Sequence, residues 1–131
     1  MPGDAVSVLV VDDQAPFRMA ARLVVRSTKG FEVVGEVKSG EEALDAVARL
    51  SPQLVLMDIN MEGMGGIEAS RRIRDEYSGT RVILLSTYDE DDLPADARTC
   101  GAIAYVHKER FGPDVLEMTW HGRGANGGSS S

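Results

Sequence analysis

Three acidic residues, two hydroxyls and a lysine stand where short apolar runs end, and they define the chemistry open to this chain. The run Val6–Val11 ends in Asp12-Asp13, Leu54–Met57 in Asp58, Val82–Leu85 in Ser86-Thr87, and the run from Ile103 in His107-Lys108. Carboxylates brought this close repel one another unless a cation sits between them. Oxygen ligands without His or Cys favour Mg2+ over Zn2+, and Mg2+ keeps waters and bridges to a substrate phosphate. A carboxylate facing such a metal can attack phosphorus and become an aspartyl phosphate. The lysine would neutralise charge on the transferred group, and a hydroxyl would donate a hydrogen bond to it.

Those residues meet only if the runs are neighbouring strands. With Phe31–Val37 there are five runs, rich in Val, Ile and Leu and continuous rather than alternating, as expected of parallel strands covered on both faces. Helical patterns separate them. The first starts near Pro16 and is expected to bury Phe17, Ala20, Ala21 and Val24. Ser39-Gly-Glu-Glu42 reads as a capping box before a face of Ala43, Leu44, Val47 and Ala48, and Ser51-Pro52 ends that helix. Ala69, Ile73 and Tyr77 repeat every four residues in the third helix, which Ser78-Gly79 closes. Pro94 fits only the first turn of a short fourth helix, with the acidic run Asp89 to Asp92 at its N-terminal end. A short fifth helix runs from about Pro113 to His121. Five such units with brief loops predict an α/β fold: a doubly wound, five-stranded parallel sheet with helices on both faces. In such sheets ligands bind at the carboxyl ends of the strands.

The 131 residues suffice for one domain, expected over residues 1–121, with a Gly/Ser-rich disordered tail or cut linker over 122–131. No apolar run approaches the roughly 20 residues that span a bilayer. The N-terminus shows neither basic region nor hydrophobic stretch, and the single cysteine, Cys100, is compatible with the cytosol. A formal net charge of −7 disfavours a nucleic-acid surface and suits metal cations and basic partners.

At this point the chain resembles the receiver domains of bacterial two-component response regulators, over roughly residues 6 to 121. The carriers are Val-Val-Asp12-Asp13, Leu-Met-Asp58-Ile-Asn-Met61, Leu-Leu-Ser86-Thr87 and Tyr105-Val-His-Lys108, in that order. The Tyr-Asp after Thr87 and the Lys108-Glu109 pair are most similar to receivers that precede helix-turn-helix output domains, here without one. The resemblance implies a flavodoxin-like fold with strand order 2-1-3-4-5. It implies that Asp58 is the phosphoacceptor and that Asp13 and Asp58 ligate Mg2+ through side chains. Asn60 would add its backbone carbonyl, and Asp12 would help through water. Ser86, Thr87 and Lys108 would bind the phosphoryl group, and Ser86 and Tyr105 would couple it to a face made of the fourth helix, fifth strand and fifth helix. It further implies a cytoplasmic signalling switch that is not an enzyme, a histidine kinase and a downstream protein as partners, and a possible homodimer through that face.

Departures from the family's pattern are Glu62 where Pro is usual, Gly65 where Asp or Asn is usual, and Thr87, bulkier than the common alanine. Glu62 adds negative charge, and Gly65-Gly66 is expected to loosen the start of the third helix. They motivate an alternative: a receiver-like interaction module that does not depend on phosphorylation. A haloacid-dehalogenase-type phosphatase needs a second Asp two positions after its nucleophile, but Asn60 follows Asp58 and Gln14 follows Asp12. Plainer roles exist for single residues. Asp12 and Asp13 could cap the first helix, Asp58 could form a turn, and Lys108 could be a solvated strand end. Tyr105 is equally a plain half-buried aromatic. Met57, Met61 and Met64 read as packing residues, Cys100 as a small buried one, and His107 and His121 lack ligand spacing.

Overall fold

A computed structural model describes residues 5–129, with side chains described for residues 5–89 and 91–122. Its strands are β1 (Val6–Val11), β2 (Phe31–Val37), β3 (Leu54–Asp58), β4 (Arg81–Ser86) and β5 (Ala104–His107). Its helices are α1 (Ala15–Arg26), α2 (Gly40–Leu50), α3 (Gly66–Glu76) and α4 (Pro113–Ser129). The strands form one parallel sheet in the order β2-β1-β3-β4-β5, as expected.

Both faces of the sheet are covered, which explains why the strands are continuously apolar. Leu9, Val11, Val55, Met57, Val82 and Leu84 meet α2 and α3 through Ala43, Val47, Ala69 and Ile73. The alternate residues Val8, Val10, Leu54, Leu56, Ile83 and Leu85 meet α1 and α4 through Ala21, Val25 and Leu116. Each of these side chains is almost wholly buried, and burying one Val or Leu contributes about 1.5–3 kcal/mol before entropy is counted.

Helix boundaries follow local chemistry. Pro16 sits in the first turn of α1. Ser39 Oγ accepts the Glu42 N–H at 3.1 Å, while the Glu42 carboxylate reaches back to the Lys38 N–H at 2.9 Å, so the capping box forms with one residue of slip. Two alanines expected inside, Ala20 and Ala48, are exposed; Val25 and Ala46 take the buried positions. Alanine is small enough to sit on either face of a helix, so its spacing carries little information about burial.

The expected fourth α-helix does not form. Its place holds two 3-10 turns, Glu90–Asp92 and Ala95–Arg98. Pro94, with ψ at 144°, interrupts the chain on one side, and Gly101, at φ +96°, turns it on the other. Six residues between such breakers are too few to offset the cost of nucleating an α-helix. The acidic run therefore has no α-helix dipole to sit on. In consequence every residue of β5 is only half-buried. The last helix runs to Ser129, past His121 and the Gly122 boundary expected from composition. Among the described residues Trp120 is the last to join a core, and residues 130–131 of the expected tail lie outside the described residues.

Candidate functional site

Strand register brings the chemistry-bearing residues to one level. Val11 pairs opposite Met57, so Asp12 and Asp58, each one residue further on, lie side by side. Asp58 pairs opposite Leu85 and Ser86 opposite His107, which sets Ser86 and Lys108 one step beyond. Carboxylate oxygens of Asp12, Asp13 and Asp58 all lie within 4.8 Å of one another. Asp12 and Asp58 are 1% and 5% exposed, whereas Asp13 is exposed.

Lys108 is the counter-charge. Its Nζ lies 2.8 Å from Asp12 Oδ2 and 3.2 Å from Asp58 Oδ1, and 4.5 Å above the centre of the Phe17 ring. Asp12 Oδ1 accepts the Gln14 N–H at 2.8 Å, so Asp12 also fulfils the plainer role of a turn-former at the entry to α1. Its buried Oδ2 meets Lys108 as an ion pair but has no hydrogen-bond partner. Burial, and next the charge of Asp12, push the Asp58 carboxyl up to about 6, against the opposing pull of Lys108 and of the Asn60 N–H. One ammonium thus pairs with two of three clustered carboxylates, one of them with an oxygen lacking a hydrogen bond. That donor set fits a hard divalent cation such as Mg2+, whose ligands are oxygens.

The hydroxyls differ from each other. Ser86 is buried and its Oγ accepts the Tyr88 N–H at 2.8 Å, a bond that does not use its own proton. Thr87 is exposed. Tyr105 is half-buried, and its hydroxyl accepts a hydrogen bond from Arg98 Nη1 at 3.1 Å while that guanidinium lies 5.3 Å from the ring centre. Ser86 and Tyr105 line the same groove of about 710 Å3, beside Tyr88, Asp91 and Leu93. His107 Nδ1 is taken up by the Glu109 N–H at 3.1 Å.

The Gly65-Gly66 pair tightens the start of α3 instead of loosening it. The Gly66 N–H donates to Ile59 O at 3.0 Å, and a Cβ there would run into the Asp58 carbonyl oxygen. Gly66 lets α3 start directly against the end of β3. Gly66→Ala is therefore expected to cost about 2 kcal/mol, read as a lower urea midpoint at unchanged slope. A midpoint equal to the parent's would mean that the loop yields freely.

Three contacts around the site were not legible in the strand-end pattern. Phe17 lies beneath Lys108, Arg18 donates to the Asp12 carbonyl oxygen at 2.7 Å, and Glu41 reaches the loop after Asp58. Phe17 and Arg18 sit one turn into α1, so the position of that helix against β1 was the available signal. For Glu41 there was none.

Known proteins share this sequence pattern and this fold. The family model described as response regulator receiver domain matches residues 8–119. The response regulator UvrY of Escherichia coli K12 is 37% identical over 111 residues, covering 85% of this chain and 51% of UvrY. The transcriptional regulatory protein LiaR of Bacillus subtilis is 36% identical, covering 86% of this chain and 53% of LiaR. The chain thus spans about half the length of these curated relatives. Among solved structures, the response regulator domain of Thermotoga maritima CheB superposes with a TM-score of 0.81 at 30% identity, covering 92% of this chain and 97% of that one. A LuxR-family DNA-binding response regulator from Staphylococcus aureus gives 0.81 at 27%, covering 90% and 98%.

Proposed function

The chain belongs to the response regulator receiver domain family, and from that premise we propose that it is a switch phosphorylated on Asp58 by a histidine kinase. The observation that carries the reading is the meeting of Asp12, Asp13 and Asp58 at the carboxyl edge of the sheet, with Lys108 paired to Asp12 and Asp58. An Asp58 oxygen attacks the phosphorus, the bond from phosphorus to the donor imidazole breaks, and its electron pair returns to the donor nitrogen. Asp58 must be ionised to attack, which at neutral pH it largely is with its carboxyl at about 6. Lys108, already paired with Asp58, turns to a phosphoryl oxygen, and the Ser86 hydroxyl donates to another. Thr87 stands at the mouth as a second hydroxyl. Asp13 and Asp58 side chains, the Asn60 backbone carbonyl and, through water, Asp12 would hold Mg2+. When bound, the cation shields the charge between attacking carboxylate and phosphoryl group.

The response is proposed to pass from Ser86 to Tyr105 along their shared groove, freeing the tyrosine hydroxyl from Arg98 and reshaping the surface of the Ala95–Arg98 turn, β5 and α4. That surface would meet a downstream protein or a second copy of the chain, which light scattering with and without phosphorylation tests. Residues 122–131 are proposed as the tail or linker beyond the 1–121 receiver. The chemistry is confined to Asp58 itself, without turnover in trans. No helix among the described residues is long and apolar enough to cross a membrane, and a cytoplasmic location suits a kinase partner of this kind.

Intact mass after incubation with acetyl phosphate and Mg2+ is the test. One added phosphoryl group is expected in the parent and none in Asp58→Asn. Equal masses, together with partner binding indifferent to Asp58→Asn, would establish the phosphorylation-independent module instead.

A further inference from the structure

The loop that carries Asn60 contains two glycines, Gly63 and Gly65, and no proline, so its own backbone does little to fix its shape. It is held from outside. Glu41, in the first turn of α2, accepts the Met64 N–H on Oε2 at 3.1 Å. Gly63, at φ +74°, presses against the same carboxylate: a Cβ there would lie 2.9 Å from Oε2. Gly40, buried at the start of α2, lets the Met64 carbonyl oxygen approach where a Cβ would collide with it. The Ser39 cap and the Glu42 bond to Lys38 fix the first turn from which Glu41 projects. One end of the loop is thus the Asp58 strand end, and the other is clamped to α2 just before α3 begins.

We propose that Glu41 is a positioning residue, clamping the 60–65 loop so that the Asn60 carbonyl is set for the cation held by the three aspartates. The inference rests on the Mg2+ reading above and deepens it. Outer groups of this kind typically change metal affinity by about ten- to a hundredfold when removed. Because the Glu41 bond is exposed, the lower end applies.

Two conservative variants separate reach from charge. Glu41→Gln keeps the length and an oxygen acceptor for the Met64 N–H while losing the charge. Glu41→Asp keeps the charge at the α2 N-terminus but falls one methylene short of the loop. Mg2+ is titrated into each by calorimetry, with thermal unfolding in the absence of Mg2+ to verify folding. Glu41→Asp and Glu41→Ala are expected to bind Mg2+ about tenfold more weakly than the parent, and Glu41→Gln close to it. The reverse ranking would make the effect one of charge and overturn the clamp. So would parental affinity in all three variants. A parent that takes up no Mg2+ would instead overturn the metal site, and the clamp with it.

Discussion

Replacing Lys108 by Met is expected to cost the metal-free protein about 3 kcal/mol at pH 7, near the low end for breaking a buried pair by removing one partner. The Met fills much of the same volume over Phe17, so lost packing contributes little. What is lost is the ammonium 2.8 Å from Asp12 and 3.2 Å from Asp58, both of which are buried. Asp12 Oδ2 has no hydrogen bond to fall back on. Two like charges are then left side by side without a counter-ion. For a chain of this size that corresponds to a fall of about 10 °C in Tm. The cost is expected to shrink as pH falls from above 7 towards 6 and to stay at its lower value below that, because without the downward pull of Lys108 Asp58 takes up its proton at a higher pH than in the parent. Denaturant unfolding at pH 7 and pH 5, with Mg2+ chelated, reads both effects. A loss that is the same at both pH values would assign it to packing and not to charge.

The strand ends were the legible part of this site because sheet geometry makes them so. A parallel sheet buries its strands on both faces, and an acidic residue ending such a run has few other reasons to be there. Asp12, Asp58, Ser86 and Lys108 were found that way, and the register sets them level. The strands themselves were legible to within a residue, since β1 and β2 coincide with the apolar runs Val6–Val11 and Phe31–Val37. Between Thr87 and Gly101 the reading failed. Pro94 was visible, but the positive φ of Gly101 was not, and together they leave room only for a 3-10 turn. The Glu41 contact lies beyond any local pattern, because 23 residues separate it from Met64 and only the packing of α2 beside α3 joins them.

Asp58→Asn is expected to stabilise the metal-free protein at pH 7 while abolishing phosphorylation. The Asp58 carboxyl is raised from 3.8 to about 6 in the fold, mainly by burial and then by Asp12. A raised carboxylate means that the folded state holds its proton more tightly than the unfolded chain does. The associated stability is therefore fully present below pH 4 and is lost as pH rises through 6. At about 1.4 kcal/mol per pH unit the shift corresponds to about 3 kcal/mol, of which about 2 is kept once the amide's weaker bond to the Lys108 ammonium is counted. Asparagine carries no charge to desolvate and still offers an oxygen to the Asn60 N–H and to Lys108. The variant should lead the parent by about 2 kcal/mol at pH 7, with the difference vanishing towards pH 4. Saturating Mg2+ should raise the parent towards the variant at pH 7, because a ligand that binds only the folded state stabilises it. Asp58→Asn removes a proposed cation ligand and should respond less. A variant less stable than the parent at pH 7 in the absence of metal would mean that Asp58 contributes more by its hydrogen bonds than its buried charge costs.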